Sequence, residues 1–314
     1  MFRAGGIHRS LGAWRKLFAL DNEVFGWTVR GVSWQLETKP GQPDSVPLDW
    51  SRVVPESLPK RQATLSEEQI IFIDKELEKL ILIGAAAPIE SDFLVNGERR
   101  PLLITPLTCV PKHGPEKWRI IADQRHANEL TETVKFKYQS YKEFPNMFRQ
   151  GWWAFSLDLV KGYINLMLAK IMVAISIVWW RGRYIALLAM MFGHSQAPYL
   201  FTRFIKHIVA HLVEAGVATI GYLDDLCGCV PTEDLCWRAI HHVIRLCDLL
   251  GLALSAKSCL RATQQLIFLG IGINLIEGIF YLPEDKLVKI LVLCSSLVER
   301  KAATLRELEK VAGG

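Results

Sequence analysis

The sequence predicts an α+β fold whose centre is an antiparallel sheet. From residue 155 to residue 281 it reads as a strand, a helix, a hairpin, a second helix and further strands, the order of an α+β lobe. The hairpin is distinctive because GYLDDLCGCV (residues 221–230) places two adjacent acids between apolar segments. Both segments, 217–222 and 226–230, are apolar on both alternate faces, which is typical of strands covered on both sides. The acids are therefore expected at the turn between two buried strands.

The first 130 residues are expected to hold a connection, a helix and a strand pair. Residues 36–60 contain five prolines after a segment rich in tryptophan, which predicts an extended connection. A capping box at residues 66–69 starts a helix that continues through Ile83 and stops at the following glycine. Residues 101–130 are predicted to form two strands around a turn at 112–117.

The remaining elements surround the acidic hairpin. Residues 155–159 predict a short strand, and residues 195–216 predict a helix with a proline in its first turn, where proline is tolerated. A second helix is expected over residues 232–251, between a threonine N-cap and a glycine stop. Residues 266–281 predict more strands, and helices are expected over residues 283–314.

The net charge and the cysteine content of the chain indicate what kind of partner it binds and in what kind of compartment it folds. The 314-residue chain has a formal charge of +5 and a pI near 8.8, which suits a polyanionic partner. Its seven cysteines are an odd number without disulfide-framework spacing, so a reducing compartment is expected. A zinc site remains an alternative, although buried thiols are favoured because the chain has no C-x-x-C pair. Its candidate ligands are Cys227, Cys229, Cys236, His241 and His242.

Two segments imitate targeting or membrane signals. Residues 1–20 carry four basic residues and no acid, as a mitochondrial presequence does. Residues 164–180 are almost entirely apolar and hint at a membrane span, but the run is short and carries a lysine near its middle. It leads into a predicted hairpin that turns at residues 181–182. We expect an intracellular protein, in cytoplasm or nucleus, that makes no use of a membrane.

The adjacent acids predict either a solvated hairpin tip or a cation site. Ionised carboxylates in an apolar setting are heavily penalised, and adjacent ones repel each other. A third acid, Asp158, ends the strand predicted at 155–159; if that strand lies beside the hairpin, Asp158 converges with Asp224, and Asp225 lies nearby. Three carboxylates form an oxygen-only site suited to Mg²⁺. Two such ions, with Mn²⁺ as a substitute, support in-line phosphoryl displacement.

A basic hairpin precedes these acids. Lys112 and Arg119 lie on the two arms of the turn predicted at 112–117. Arginine offers a planar fork to phosphate oxygens and lysine a point charge. The pair therefore fits either a triphosphate site or an ordinary basic surface hairpin.

The order of the motifs resembles the reverse transcriptases of retroelements. WRIIADQRHAN, SLDLVKGY, FGHSQAPYLFTR, YLDD, LGLALSAKS and FLGIGIN follow one another as in that family. The start, with AGGIHRSLGAWRKL and DKELEKLILIGA, is similar to polymerases of DIRS-type (tyrosine-recombinase) retrotransposons and of the LTR-retrotransposon group. This likeness displaces the presequence interpretation. It implies an RNA-directed DNA polymerase with a right-hand fold of fingers, antiparallel-sheet palm and partial thumb.

The resemblance also implies a division of the chain. It comprises an N-terminal extension and connection (1–60), fingers (61–150), the first palm strand (151–163), more fingers (164–192), the main palm (193–282) and a truncated thumb or connection (283–314). The expected partners are dNTPs and an RNA or DNA template with its primer. Ribonuclease H and recombinase or integrase modules are expected to be encoded elsewhere in the element.

Roles follow position by position from the resemblance. Asp158, Asp224 and Asp225 match the catalytic, metal-binding carboxylates, with the main-chain carbonyl of Leu159 as a further metal ligand. Tyr163 matches a steric gate that excludes a ribose 2′-hydroxyl, and a core tyrosine is the alternative. The other residues expected to bind the dNTP are Lys112, Arg119, Lys161, Gly162, Phe192, Gln196 and Lys257. The turn that grips the primer is expected at Phe268, Leu269 and Gly270.

The sequence also departs from the family. Residues 164–192 are apolar where relatives carry a polar stretch, and His194 replaces a common leucine. These departures leave a second hypothesis, a decayed or repurposed retroelement fragment that binds nucleic acid without catalysis. A third, an RNA-templated RNA polymerase, is disfavoured by Tyr163 and by the YLDD and FLG motifs.

Overall fold

The computed structural model describes residues 2–33, 64–89, 93–95, 98–100, 104–112, 118–129, 131, 134–300 and 302–312. The proline-rich connection predicted at 36–60 and the final glycines lie outside these residues. So does the turn predicted at 112–117, except for Lys112.

The helices and strands follow one another in a mixed order. The helices are α1 (Gly6–Arg9), α2 (Leu11–Leu17), α3 (Asn22–Arg30), α4 (Glu67–Leu82), α5 (Arg125–Glu129), α6 (Phe144–Met147), α7 (Lys170–Val173), α8 (Ala197–Glu214), α9 (Glu233–Leu249), α10 (Glu284–Arg300) and α11 (Leu305–Ala312). The strands are β1 (Ala86–Ile89), β2 (Phe93–Val95), β3 (Glu98–Arg100), β4 (Leu107–Pro111), β5 (Trp118–Ala122), β6 (Trp153–Asp158), β7 (Ile177–Trp180), β8 (Arg183–Leu187), β9 (Ala218–Tyr222), β10 (Asp225–Val230), β11 (Cys259–Thr263), β12 (Gln265–Phe268), β13 (Ile271–Asn274) and β14 (Ile279–Tyr281).

The central sheet has the strand order β11-β6-β10-β9, and its pairings are antiparallel. Helices α8 and α9 cover one face, where Phe155 and Leu226 share a buried cluster with Phe204 and Ile240. The other face contributes Ile220 and the two cysteines of β10 to a second cluster. Both faces are thus buried, as the apolar pattern of the hairpin predicts.

A second sheet, β1-β8-β7, and the β4–β5 pair share a core with α4. Ile73, Leu77 and Leu80 of α4 are buried at spacings of four and three residues, so they lie on one helix face. The predicted capping box is confirmed, because Ser66 and Gln69 exchange side chain to backbone hydrogen bonds. This core stands apart from the one under the central sheet.

A third sheet, β12-β13-β14, closes the far side of the central sheet. Phe144 and Phe148 pack against Phe268 and Phe280 of this sheet, with ring centroids between 5.7 and 6.1 Å apart for three of the pairs. Residues 144–148 therefore share a core with the central and third sheets.

The N-terminal helices dock on the helical layer, which the tryptophan-rich composition did not predict. Trp14 is fully buried, meets the ring of Phe204 edge-on at 5.6 Å and donates from Nε1 to the carbonyl of Leu250 at 3.0 Å. Asp21 caps α3 through the backbone N–H of Val24 and pairs with Arg203 of α8. The segment completes the core.

Most elements predicted around the hairpin are confirmed within a few residues. The helices expected over 195–216 and 232–251 are α8 and α9, and Thr232 caps α9 through the backbone N–H of Leu235. Strand β11 was not predicted. Its sequence, CLRAT, has an arginine at its centre, and its register against β6 shifts between Cys259 and Thr263. A bulged strand lacks the regular alternation on which a strand prediction depends.

The apolar run at 164–180 folds as part of a globular core. It contains the end of a 3₁₀ turn (Gly162–Asn165), α7 and β7, and the hairpin to β8 turns at Arg181 and Gly182 as predicted. In the described part of the chain, no helix has both the length and the apolar character needed to cross a bilayer.

Candidate active site

Two neighbouring strands bring three carboxylates to one edge of the central sheet. Asp225 begins β10 and lies directly opposite Asp158, the last residue of β6. Directly opposed residues of an antiparallel pair project to the same face, with Cβ atoms about 4.5–5.5 Å apart. Asp224 occupies the turn before β10, and its carbonyl accepts a hydrogen bond from the N–H of Leu159 at 2.9 Å. The predicted convergence of the three acids is thus observed in the backbone register.

The acidic hairpin is held tightly by its neighbours. Leu223 has a φ of 55°, a left-handed conformation that strains a residue other than glycine. A Cβ atom at Gly221 would lie 2.9 Å from Cγ2 of Val209, and one at Gly228 would lie 2.4 Å from Cζ of Phe155. Helix α8 and strand β6 therefore approach the hairpin as closely as its glycines permit.

Burial and neighbouring negative charge raise the pKa values of Asp224 and Asp225. Burial raises the pKa of Asp224, and the charge of Asp158 adds to the rise while Arg119 opposes it. Burial first, and then the charges of Asp224 and Asp158, raise the pKa of Asp225 to about 6, while Lys257 acts in the opposite direction. A cation at this edge would relieve both the repulsion and the desolvation cost.

A turn after α9 fixes the backbone of Asp158. Its N–H donates to Oγ of Ser258 at 3.0 Å, and its carbonyl accepts from the N–H of Ser255 at 2.8 Å. Lys257 lies between these serines and donates from its own N–H to Oγ of Ser255 at 3.2 Å. The same turn therefore fixes an acid and presents a cation.

The wall opposite the acids is cationic and aromatic. The Cζ of Arg119 lies 4.5 Å from the ring centroid of Phe192, and that ring meets Tyr163 edge-on at 5.1 Å. Tyr163 also packs edge-on against the buried Phe201 at 5.8 Å. Burial, followed by the neighbouring Tyr138, raises the pKa of Tyr163, so its hydroxyl stays protonated at neutral pH. Lys112 follows β4 directly, on the other arm of the hairpin from Arg119.

Residues 192–196, here called the strap, join this wall to the start of α8. The carbonyl of Phe192 accepts from the N–H of Ala122, and Asn128 bonds both the carbonyl of Gly193 and the N–H of Ser195 at 2.9 Å. Gly193 has a φ of 120°, and a Cβ there would lie 2.1 Å from the carbonyl oxygen of Ala122. Only glycine fits so close to strand β5.

His194 is the buried member of the strap. It is 4% exposed, and its Nδ1 accepts the backbone N–H of Gln196 at 3.2 Å. Burial lowers the pKa of His194 to about 4. The histidine at this departure from the family is therefore neutral at physiological pH.

The segment after β6 forms the floor of the cleft. Lys161 has a φ of 51°, and the following Gly162 begins the 3₁₀ turn. A Cβ at Gly162 would lie 3.1 Å from the ring of Phe201 and 3.2 Å from Cβ of Asp224. The carbonyl of Lys161 accepts the N–H of Ile164 at 2.9 Å, and Lys161 and Gly162 both line the cleft. Successive backbone N–H groups in a turn of this kind form a concavity suited to an anion.

These walls enclose a cleft of about 480 Å³. Its lining includes most of the predicted site: Lys112, Arg119, Asp158, Leu159, Lys161, Gly162, Tyr163, Phe192, Asp224 and Lys257. Residues that the sequence did not predict also line it, among them Phe72, Glu76, Trp118, Val160 and Ser255.

Several predicted site residues lie off this surface. Gln196 is 5% exposed at the start of α8 and is not among the residues that line the cleft. Phe268, Leu269 and Gly270 form the end of β12 and the two-residue turn to β13, with φ values of 48° and 75° at the turn residues. The turn is the one predicted, and its contact with a primer stays a prediction.

The carboxylates fit a divalent cation in donor chemistry. Within the described residues, no three histidine, cysteine, aspartate or glutamate side chains are gathered closely enough to enclose one ion. This applies to the acids and equally to Cys227, Cys229 and Cys236, which are buried thiols with raised pKa values. Magnesium needs no such cage, because it is usually bound by one or two carboxylates, with water and substrate phosphates as its other ligands.

Sequence reasoning missed the residues that orient the site. Ser255, Ser258 and Asn128 act through backbone hydrogen bonds over 65 to 100 positions of sequence. The serines flank Lys257 in the motif SAKS, and that spacing was the available signal. Asn128 gave none, because its partner in the strap is defined by tertiary packing.

Comparison with known proteins identifies a family and a fold. The family model described as "Reverse transcriptase (RNA-dependent DNA polymerase)" matches residues 110–273, just over half of the chain. A search of curated proteins finds no match.

Three solved structures share the fold. All are of a foamy viral protease-reverse transcriptase: a dRH form with double-stranded DNA (19% identity, TM-score 0.65), a complex with double-stranded DNA (19%, 0.65) and a complex with an RNA/DNA hybrid (20%, 0.63). Each alignment covers 96% of this chain but only 51%, 61% and 39% of the respective viral chains. The chain thus spans about half the length of the viral proteins it resembles.

Proposed function

The chain belongs to the reverse transcriptase family, and we propose that it is the RNA-directed DNA polymerase of a retrotransposon. The reaction is template-directed addition of dNTPs to a primer 3′-hydroxyl. The observation that carries the proposal is the meeting of Asp158 and Asp224 with Arg119, Lys257 and Tyr163 around one cleft. Metal-binding acids, phosphate-binding cations and a ring beside the sugar are the groups that nucleotidyl transfer needs.

The acidic wall is the proposed metal site. Asp158 and Asp224 border the cleft directly, and Asp225 lies opposite Asp158 in the sheet. The carbonyl of Leu159 is a further proposed ligand. When bound, two Mg²⁺ ions, or Mn²⁺ in their place, supply the Lewis-acid chemistry that activates the attacking hydroxyl and neutralises the leaving oxygen. The raised pKa values of Asp224 and Asp225 supply a reason for the protein to bind divalent cations there.

The opposite wall is the proposed triphosphate site. Arg119 presents a planar fork and Lys112 a point charge, and both reduce the electrostatic cost of ionising Asp224. The backbone N–H groups of Lys161 and Gly162, which both line the cleft, are the proposed donors to phosphate oxygens. Lys257 is the proposed proton donor to the departing pyrophosphate.

The other proposed contacts lie around this centre. Phe192 is proposed to pack against the new base pair. Gln196, which is buried just before α8, is proposed to bind the dNTP. Phe268, Leu269 and Gly270 grip the primer end. Nucleic acid is present in the viral structures, and we propose that this chain binds an RNA or DNA template with its primer.

We propose a division of the chain into fingers, palm and thumb. The core of α4, β4, β5, β7 and β8 supports a fingers unit, and the central sheet with α8 and α9 supports a palm. Helices α10 and α11 follow the palm strands in sequence and are proposed to belong to the thumb. The DIRS-type or LTR-retrotransposon lineage, with ribonuclease H and recombinase or integrase as partner activities of the element, is part of the same proposal.

Primer extension tests the proposal. Soluble protein with Mg²⁺ should incorporate dTTP on poly(rA)·oligo(dT), and Asp224→Ala should abolish incorporation. Asp248→Ala removes an exposed aspartate of α9 and should leave activity unchanged. Activity that survives Asp224→Ala would rule out the assigned site.

The second hypothesis, a fragment that binds nucleic acid without catalysis, is decided by the same assay. The apolar segment 164–192 was a reason for this hypothesis. In the structure, however, apolar side chains of that segment are buried, among them Leu166, Val173, Ile175 and Ile177. Salt-dependent binding of primer–template without any dNTP addition would favour this hypothesis over the polymerase.

A further inference from the structure

Two histidines face each other between α8 and α9, outside the cleft. His211 lies in the last turn of α8 and His242 in the middle of α9. Their Nε2 atoms are 3.2 Å apart, their ring centroids are 5.3 Å apart, and the ring planes differ by 25°. The proposed polymerase reaction uses neither residue.

The separation of the two nitrogens matches the bite of a metal ion. A tetrahedral ion with metal–nitrogen bonds of about 2.0–2.1 Å holds two imidazole nitrogens roughly 3.3 Å apart. The same distance also suits an N–H···N hydrogen bond between two neutral rings. We propose that His211 and His242 bind a transition-metal ion that prefers imidazole ligands, of which Zn²⁺ is the natural example, and that the ion links α8 to α9.

The ring of His211 is already held in place. Phe18 of the N-terminal segment meets it edge-on, with centroids 5.9 Å apart and planes at 82°. The same phenylalanine stacks on His207, one helical turn earlier, at 5.8 Å. A ligand that is ordered before the ion arrives loses less conformational freedom on binding. The N-terminal segment therefore contributes to the site without supplying a ligand.

The site is open. In the part of the chain that the structure describes, no third histidine, cysteine, aspartate or glutamate side chain is gathered with the pair. Water would complete the coordination sphere, and the affinity should be lower than that of a closed four-ligand zinc site. An open ion between two palm helices acts as a cross-link that is absent from the unfolded chain.

Thermal unfolding with ZnCl₂ tests the site. Excess Mg²⁺ is present throughout, so that the carboxylate cleft is supplied with its own ion. At a Zn²⁺ concentration near 100 times the dissociation constant, the melting temperature should rise by roughly 5 °C. His211→Ala and His242→Ala should each lose this rise. His241→Ala removes the next histidine of the same exposed helix surface and should keep it.

The metal-free melting temperature of each variant is measured first, so that a folding defect is separated from lost binding. His242→Gln keeps a polar side chain without an imidazole, and it too should lose the rise. Calorimetric titration should give one Zn²⁺ per chain that disappears in the same variants. An equal rise in all variants, or no rise in the parent protein, would overturn the proposal and leave the pair as a hydrogen bond.

Discussion

The two walls of the cleft differ in how their backbones are held. The acidic wall belongs to three consecutively paired strands, and Asp158 is bonded through both its N–H and its carbonyl. The cationic wall is a separate two-stranded pair, held by the buried core that it shares with α4 and the second sheet, by the strap and by the contact of Arg119 with Phe192. The proposed metal-binding acids are therefore fixed by main-chain hydrogen bonds of a four-stranded sheet, whereas the proposed triphosphate-binding side is positioned mainly by side-chain packing.

The largest expected effect comes from uncharging the acidic wall. Asp158→Asn keeps the shape of the side chain and removes one ligand charge. Incorporation should fall at least about 10³-fold, equivalent to roughly 4 kcal/mol of transition-state stabilisation. The free energy of unfolding without metal should not fall, because the charge of Asp158 raises the pKa values of Asp224 and Asp225. Urea unfolding and primer extension on the same samples check both statements. Parallel losses of stability and activity would contradict the assigned role.

The next effect concerns sugar choice at Tyr163, on the aromatic side. The ring should exclude ribonucleotides by its bulk, so Tyr163→Phe should keep most discrimination and Tyr163→Ala should lose it. Relief of the clash is worth about 2–4 kcal/mol, on the order of 30- to 1000-fold in the ratio of rNTP to dNTP use. Single-nucleotide incorporation measures that ratio. A core role predicts lower stability with an unchanged ratio in the alanine variant.

The strap should make the cationic side sensitive to acid. His194 has a folded pKa of about 4, below the ordinary value of 6.5, because burial disfavours its charged form. The stability that depends on neutral His194 is complete above pH 6.5 and is lost as the pH falls towards 4. The loss should reach about 3 kcal/mol at pH 4.

His194→Leu should remove this pH dependence. Urea unfolding between pH 7.5 and 4 gives the difference between the two proteins, since their carboxylates titrate alike. His241→Leu changes an exposed histidine and should retain the parent profile. Identical profiles for the parent and His194→Leu would refute the assignment.

The smallest expected effect comes from a conservative change of Arg119 in the cationic wall. Arg119→Lys keeps the charge but loses the planar fork and much of the contact with Phe192. The KM for dNTP should rise roughly 10-fold, or about 1–2 kcal/mol, while kcat changes less. Lys112→Arg, on the neighbouring arm, should change either constant by less than Arg119→Lys. Steady-state kinetics decide, and a fall in kcat alone would place Arg119 nearer to the chemistry than proposed.

Much of the fold could be read from local pattern. The structure confirms three such predictions: the capping box of Ser66 and Gln69, the N-cap at Thr232 and the hairpin with two apolar faces. These signals depend on neighbours in sequence, because caps, turns and periodicity act over a few residues. The convergence of Asp158 with Asp224, with Asp225 nearby, followed once the two strands were assumed to be neighbours, whereas the direct pairing of Asp158 with Asp225 came from the structure.

Other features depended on contacts between distant residues. The bulged strand β11, the docking of Trp14 on α8 and α9 and the strap's bonds to Asn128 join positions that no local pattern relates. Gln196 was expected to bind the dNTP; the structure shows it 5% exposed beside α8, and its contact with a dNTP stays a prediction.

The sequence by itself determined the chemistry of the site: which residues carry charge, which turns need glycine and which strands are apolar on both faces. The tertiary structure alone decided distances and environments. It buried Asp225 enough to raise its pKa to about 6, and it brought the nitrogens of His211 and His242 within 3.2 Å. The physical reason is that desolvation and side-chain packing depend on what surrounds a residue in space, and a residue's neighbours in sequence do not specify that surrounding.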